Sequence, residues 1–103
     1  MMEVISTQGT FTANVEWIPA DIGQPNNFSF NFRDGDGQPV TPAYDVELLR
    51  DNQMVPGTLR ESQTSLEQEY TFNEAGNYTL RIHNVQTKHP GDVINIPLQV
   101  PPE

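Results

Sequence analysis

The sequence predicts an all-β fold, with about seven strands in two antiparallel sheets packed face to face as a sandwich. Three observations carry that expectation. Apolar and polar residues alternate with period two in six separate runs. Clusters of Gly, Pro, Asn and Asp separate those runs. No window carries the three-and-four spacing of an amphipathic helix.

The first run, FTANVEWIP, sets Phe11, Ala13, Val15 and Trp17 against Thr12, Asn14 and Glu16. Trp17 is expected to plug the core or its edge. In NFSFNFR, Phe28, Phe30 and Phe32 alternate with Ser29, Asn31 and Arg33, after the turn residues PNN and before DGDG. AYDVELLR places Tyr44, Val46 and Leu48 on one face, and DNQ follows as a turn. The stretch VPGTLRESQTS is weakly patterned, with room for one short strand around Thr58 to Glu61. LEQEYTF offers Leu66, Tyr70 and Phe72, with Gln68 interrupting the apolar set. NYTLRIHN sets Tyr78, Leu80 and Ile82 against Thr79, Arg81 and His83. DVINIPLQV aligns Ile94, Ile96, Leu98 and Val100 around Pro97. A proline donates nothing to a ladder, so Pro97 is expected to face outward from an edge strand or bulge.

At 103 residues the chain is long enough for one modest core, so residues 1–103 read as a single domain. A formal net charge of −9 argues against nucleic acid, whose phosphates demand cations, and against an anionic membrane surface. The same charge predicts that isolated copies repel one another and remain monomeric. The absence of cysteine excludes disulfides, zinc–thiolate sites and a thiol nucleophile. No apolar run approaches the about 18 residues of a membrane-spanning helix, so no direct membrane insertion is expected. MMEVISTQGTF lacks the basic and apolar regions of a signal peptide. The ending VPPE reads as linker, and the expectation is a domain excised from a larger protein.

FNEAGNYTLRI, residues 72–82, raises a sharper point: a Gly two residues before a Tyr that opens a strand. In sandwich folds such a Tyr turns its hydroxyl back onto the backbone just upstream, forming a tyrosine corner. The Gly supplies backbone angles that other residues resist. Gly76 and Tyr78 therefore read as structural, with the Tyr78 hydroxyl expected near Glu74.

The segment EYTFNEAGNYTLRIHNV resembles the corresponding corner of extracellular immunoglobulin-like and PKD-like modules. The ordered set VEWIP, FSFNFRD, YDVELLRDNQMV, YTFNEAGNYTLRI and INIPLQVPPE is similar to β-sandwich domains of archaeal secreted surface proteins, where such a domain precedes a C-terminal PEF-type sorting segment. The resemblance spans residues 14–103. FNFRDGDG echoes the WDFGDG-like segment of PKD domains but lacks its Trp. What the resemblance implies is an immunoglobulin-like sandwich, extracellular or at the cell surface, without enzymatic activity.

Candidate sites are few. Asp34 and Asp36, alternating with Gly35 and Gly37, invite a calcium reading, because Ca²⁺ takes about six to eight oxygen ligands. Gln38 and Pro39 break the EF-hand pattern, and paired Asp-Gly steps are equally what a tight turn needs. The bare turn is the preferred reading, with no cofactor. His83 and His89 lack further ligands in obvious reach and read as solvent-facing. Asn27 and Asn77 open N-x-Ser/Thr sequons, glycosylation acceptors if the protein is exported. Asp45/Glu47 and Glu67/Glu69 recur at i,i+2 and read as solvated outer faces, not as a glycosidase pair. There is no nucleophile elbow and no phosphate loop.

Together these readings predict a non-enzymatic structural or adhesive module. Its partners would be neighbouring domains of the same protein or other surface proteins. The alternative is a carbohydrate- or ligand-binding domain, calcium-dependent if the acidic turn serves it. Such domains display exposed aromatics, whereas here nearly every aromatic belongs to the inward set.

Overall fold

A computed structural model describes residues 2–83, 85 and 91–100. Among them there is no helix, and ten strands form two antiparallel sheets. The strands are β1 (Met2–Ile5), β2 (Thr12–Ile18), β3 (Pro25–Arg33), β4 (Pro39–Val40), β5 (Tyr44–Arg50), β6 (Gln53–Met54), β7 (Arg60–Gln63), β8 (Glu67–Thr71), β9 (Gly76–His83) and β10 (Ile94–Val100). The seven anticipated segments correspond to β2, β3, β5, β7, β8, β9 and β10. The count is nevertheless ten, because β1 and the two-residue strands β4 and β6 complete the sheets.

The first sheet runs β1-β2-β3, and the far edge of β3 is shared. There β8 pairs with Pro25–Ser29, and β4 with Phe32 and Arg33. The second sheet runs β10-β9-β5, with β6 and β7 sharing the far edge of β5. Pairing of strands distant in sequence is what period-two patterning allows, since each strand needs only one apolar face.

That face builds the core. Phe28, Phe30 and Phe32 enter from β3, while Tyr44, Val46, Leu48, Leu80, Ile82, Ile94 and Ile96 enter from the second sheet, all at 2% exposure or less. The Phe30 ring meets Tyr44 edge-on at 5.8 Å between centroids, joining the sheets. Each buried ring or aliphatic side chain contributes about 1.5–3 kcal/mol relative to exposure. Trp17 lies at the rim: its ring stacks on Phe28 at 5.9 Å, and its indole N–H donates to Asn26 Oδ1 at 3.0 Å.

Local chemistry sets the connections. Arg50 pairs with Gln53 across a two-residue loop, and Asp51 and Asn52 take φ of 53° and 65°. Two left-handed residues in succession give the hairpin turn whose twist matches its strands, and Asp and Asn tolerate that conformation better than most. In β7, Ser62 has φ of 54° where the β5–β7 register slips between Tyr44 and Val46. The Asp45 carboxylate accepts the Ser62 N–H at 2.9 Å and so fixes the bulge.

Polar contacts link the sheets where β1 meets the start of β10. Ser6 Oγ donates to Asp92 Oδ2 at 2.9 Å, and the Gln8 N–H donates to Asp92 Oδ1 at 2.7 Å. The Thr7 N–H donates to the Val93 carbonyl at 2.8 Å. Asp92 is fully buried. Burial pushes its carboxyl up, but hydrogen bonds from Gln8, Ser6 and Thr10 outweigh that and hold it below the ordinary aspartate value. Beyond this clasp β10 is an edge strand. Pro97 lies opposite Thr79 of β9 and is exposed, as its missing N–H requires.

Candidate functional site

The best-defined local constellation is the corner between β8 and β9. The Tyr78 hydroxyl donates to the Glu74 carbonyl at 2.9 Å, and Tyr78 is buried at 7% exposure. Its ring packs against Phe72 at 4.7 Å between centroids. Arg50, brought in from the end of β5 opposite Tyr78, pairs with the Glu74 carboxylate and donates to the Ala75 carbonyl at 3.1 Å. Its guanidinium also stands 5.8 Å above the Tyr78 ring. Gly76 has φ of 154°, and a Cβ there would stand 3.1 Å from Arg50 Nε. The glycine thus serves both the backbone angle and the close approach of Arg50. Sequence reasoning located Gly76 and Tyr78; Arg50 carried no local signal, because its role depends on the β5–β9 register.

A second constellation lies further along the same edge of the sandwich, where side chains of β7 and β8 meet. Gln68, buried at 6% exposure, donates to the Tyr44 hydroxyl at 3.1 Å and to Gln63 Oε1 at 3.2 Å. Arg60 donates to Gln68 Oε1 at 2.8 Å and to the Glu69 carbonyl at 2.7 Å. The Arg60 guanidinium lies 4.1 Å from the Tyr70 ring centroid. The Tyr44 hydroxyl donates to the Ser65 carbonyl. Burial pushes the Tyr70 hydroxyl up to about 12, against the lowering effect of Arg60. Tyr70 therefore stays protonated and donates to the Thr58 carbonyl at 2.8 Å. Gln68, which interrupted the apolar pattern, is the centre of a satisfied buried network.

The acidic turn is self-contained. Asp34 Oδ1 accepts the N–H groups of Asp36 and Gln38, both at 2.9 Å, and the Asp34 carbonyl accepts the Gly37 N–H at 3.0 Å. Gly37 takes φ of 80°, and Arg33 donates to its carbonyl at 2.9 Å. One carboxylate oxygen of Asp34 is thus committed to the backbone, as in an Asx-turn. Among the described residues no group of three or more His, Cys, Asp or Glu side chains converges as a metal would require.

Two expectations are corrected. Asp45 and Glu47 do not lie on a solvated face: they are buried at 8% and 9% exposure. Ser62 donates to Asp45, while Glu47 Oε1 stands 3.8 Å from Arg81 and 3.6 Å from His83 Nε2. The neighbouring β9 side chains and the β7 bulge cover these carboxylates. His83 is accordingly half-buried, not solvent-facing, and His89 lies outside the described residues. Glu67 and Glu69 are exposed, as are the sequon residues Asn27 and Asn77.

Hollows in the surface carry little chemistry. One of about 390 Å³ is lined by Asp51, Asn52, Asn77, Thr79, Pro97 and Gln99, and another of about 380 Å³ includes Ile18, Asn27, Ser29, Glu67 and Glu69. No aromatic ring stands exposed: every Phe and Tyr is buried, and Trp17 is half-buried at the rim. No family model, curated protein or solved structure matches the chain.

Proposed function

We propose that the chain is an immunoglobulin-like β-sandwich module, structural or adhesive and without enzymatic activity, within a larger protein exported to the cell surface. One observation carries the reading: the rings that would form a platform for sugars or flat ligands are committed to the core or its rim. The residues left outside are mostly amides, hydroxyls and carboxylates, with single aliphatic side chains such as Ile5, Ile18 and Met54 among them.

The connectivity supports the immunoglobulin-like assignment. Strands β2, β3 and β8 neighbour one another in one sheet, and β10, β9 and β5 in the other. The chain therefore changes sheet between β3 and β5, between β7 and β8, and at the Tyr78 corner, in the manner of a Greek-key sandwich. The exposed Pro97 blunts one sheet edge against unwanted pairing.

The reading is tested by surface biotinylation of intact cells that make the protein, combined with a glycan array on the purified domain. The expected result is labelling at the surface, a monomer in sedimentation, and no glycan of micromolar affinity. A reproducible glycan ligand lost in Trp17→Ala moves the protein to the ligand-binding class.

A further inference from the structure

We propose that the outer face of β2, β3 and β8 is a docking trough for an extended, Lys- or Arg-bearing polypeptide segment. The inference rests on the adhesive-module reading and names the chemistry of the partner.

The trough follows from side-chain length across the register. Glu16 pairs with Ser29 and Ser29 with Glu67; Ile18 pairs with Asn27 and Asn27 with Glu69. The central strand thus presents short side chains, Asn27 and Ser29, between two strands that present long ones. The walls stand about 10 Å apart, two strand spacings, which is the width of one extended chain with its side chains. The hollow of about 380 Å³ bounded by Ile18, Asn27, Ser29, Glu67 and Glu69 lies there.

Charge selects the occupant. Glu16, Glu67 and Glu69 are exposed, and none takes part in an ion pair among the described residues. The arginines that could neutralise them are engaged elsewhere. Arg50 holds Glu74, Arg60 holds Gln68 and the Glu69 carbonyl, Arg81 neighbours Glu47, and Arg33 holds the Gly37 carbonyl. Ile18, at 63% exposure, adds an apolar contact on the same wall as Glu16. A segment alternating cationic and aliphatic residues matches both features, with cations toward the carboxylates and one aliphatic group against Ile18.

The experiment titrates unglycosylated domain, with Asn27 unmodified, with a peptide alternating Lys and Val, followed by NMR shifts and fluorescence anisotropy. Two sets of charge-removing variants are compared. The first is Glu16→Gln/Glu67→Gln/Glu69→Gln, with Ile18→Ser made separately. The second, away from the trough, is Asp36→Asn/Asp51→Asn/Glu61→Gln. The expected result is saturable binding with shifts confined to β2, β3 and β8, about tenfold weaker in the first set, the size of three partly screened ion pairs. The second set should weaken it no more than about twofold, and Ile18→Ser should weaken it at unchanged charge. Equal loss in both sets, reporting diffuse attraction to an acidic protein, overturns the proposal, and so does non-saturable binding. Either failure leaves the module reading standing, because surface labelling and the glycan array judge that separately.

Discussion

The hydroxyl of Tyr78 donates to the carbonyl of Glu74, 2.9 Å away and four residues back along the chain. The bond fastens the crossing from β8 to β9 from within. Tyr78→Phe keeps the ring against Phe72 and removes only the donor, leaving a part-buried carbonyl without its partner. The expected loss is about 1 kcal/mol, read from the urea midpoint at unchanged slope. A loss below a few tenths of a kcal/mol would show that the corner contributes nothing.

Gly76→Ala tests the other half of the corner. The substitution asks an L-residue to hold φ of 154° with its methyl 3.1 Å from Arg50 Nε. Destabilisation exceeding about 1 kcal/mol is expected. Pairing it with Arg50→Ala separates the causes: if the clash dominates, the double variant recovers part of the loss, and if backbone strain dominates, it does not.

Asp92 predicts an acid limb in the stability profile. Its carboxyl is held below the ordinary aspartate value in the fold, so the unfolded chain binds that proton more readily. The stabilisation is fully present above the unfolded value of about 3.9. It disappears as pH falls through the lower folded value. Denaturation midpoints measured from neutral pH downward should fall in the wild type, with a shallower fall in Asp92→Asn. Parallel acid limbs in the two proteins would assign the effect to other carboxylates.

Calcium at millimolar concentration should leave the melting temperature unchanged, because Asp34 Oδ1 is already occupied by two backbone N–H groups. A calcium-dependent rise that vanishes in Asp34→Asn/Asp36→Asn would reinstate the cation reading, since a ligand bound only to the native state must stabilise it.

Much of this fold could be read from alternation alone, because a half-buried strand writes its orientation into every second residue. The three Phe residues of β3 and the Ile/Leu/Val series of β10 point inward as the pattern requires. β1 escaped notice because it is only four residues long and sets Val4 toward the core beside an Ile5 that is 63% exposed. β4 and β6 are too short to show a period at all. The corner was legible because Gly76 and Tyr78 lie two residues apart. The Arg60–Gln68–Tyr44 network was not, since its members come from three strands. The burial of Asp45 and Glu47 was hidden for a related reason: what covers an outward side chain is decided by the neighbouring strand.

The clasp at Asp92 also orders events in time. Ser6 and Gln8 leave the ribosome well before the carboxylate that secures them, which lies 86 and 84 positions further along. Chains fold as they emerge, and contacts between distant positions wait on loop closure. The N-terminal strand can lie against β2 early, but its fastening to the second sheet comes only with the last strand. Until Asp92 and β10 have emerged the nascent chain holds an unlocked sandwich, one that a chaperone or a translocation channel can still keep open.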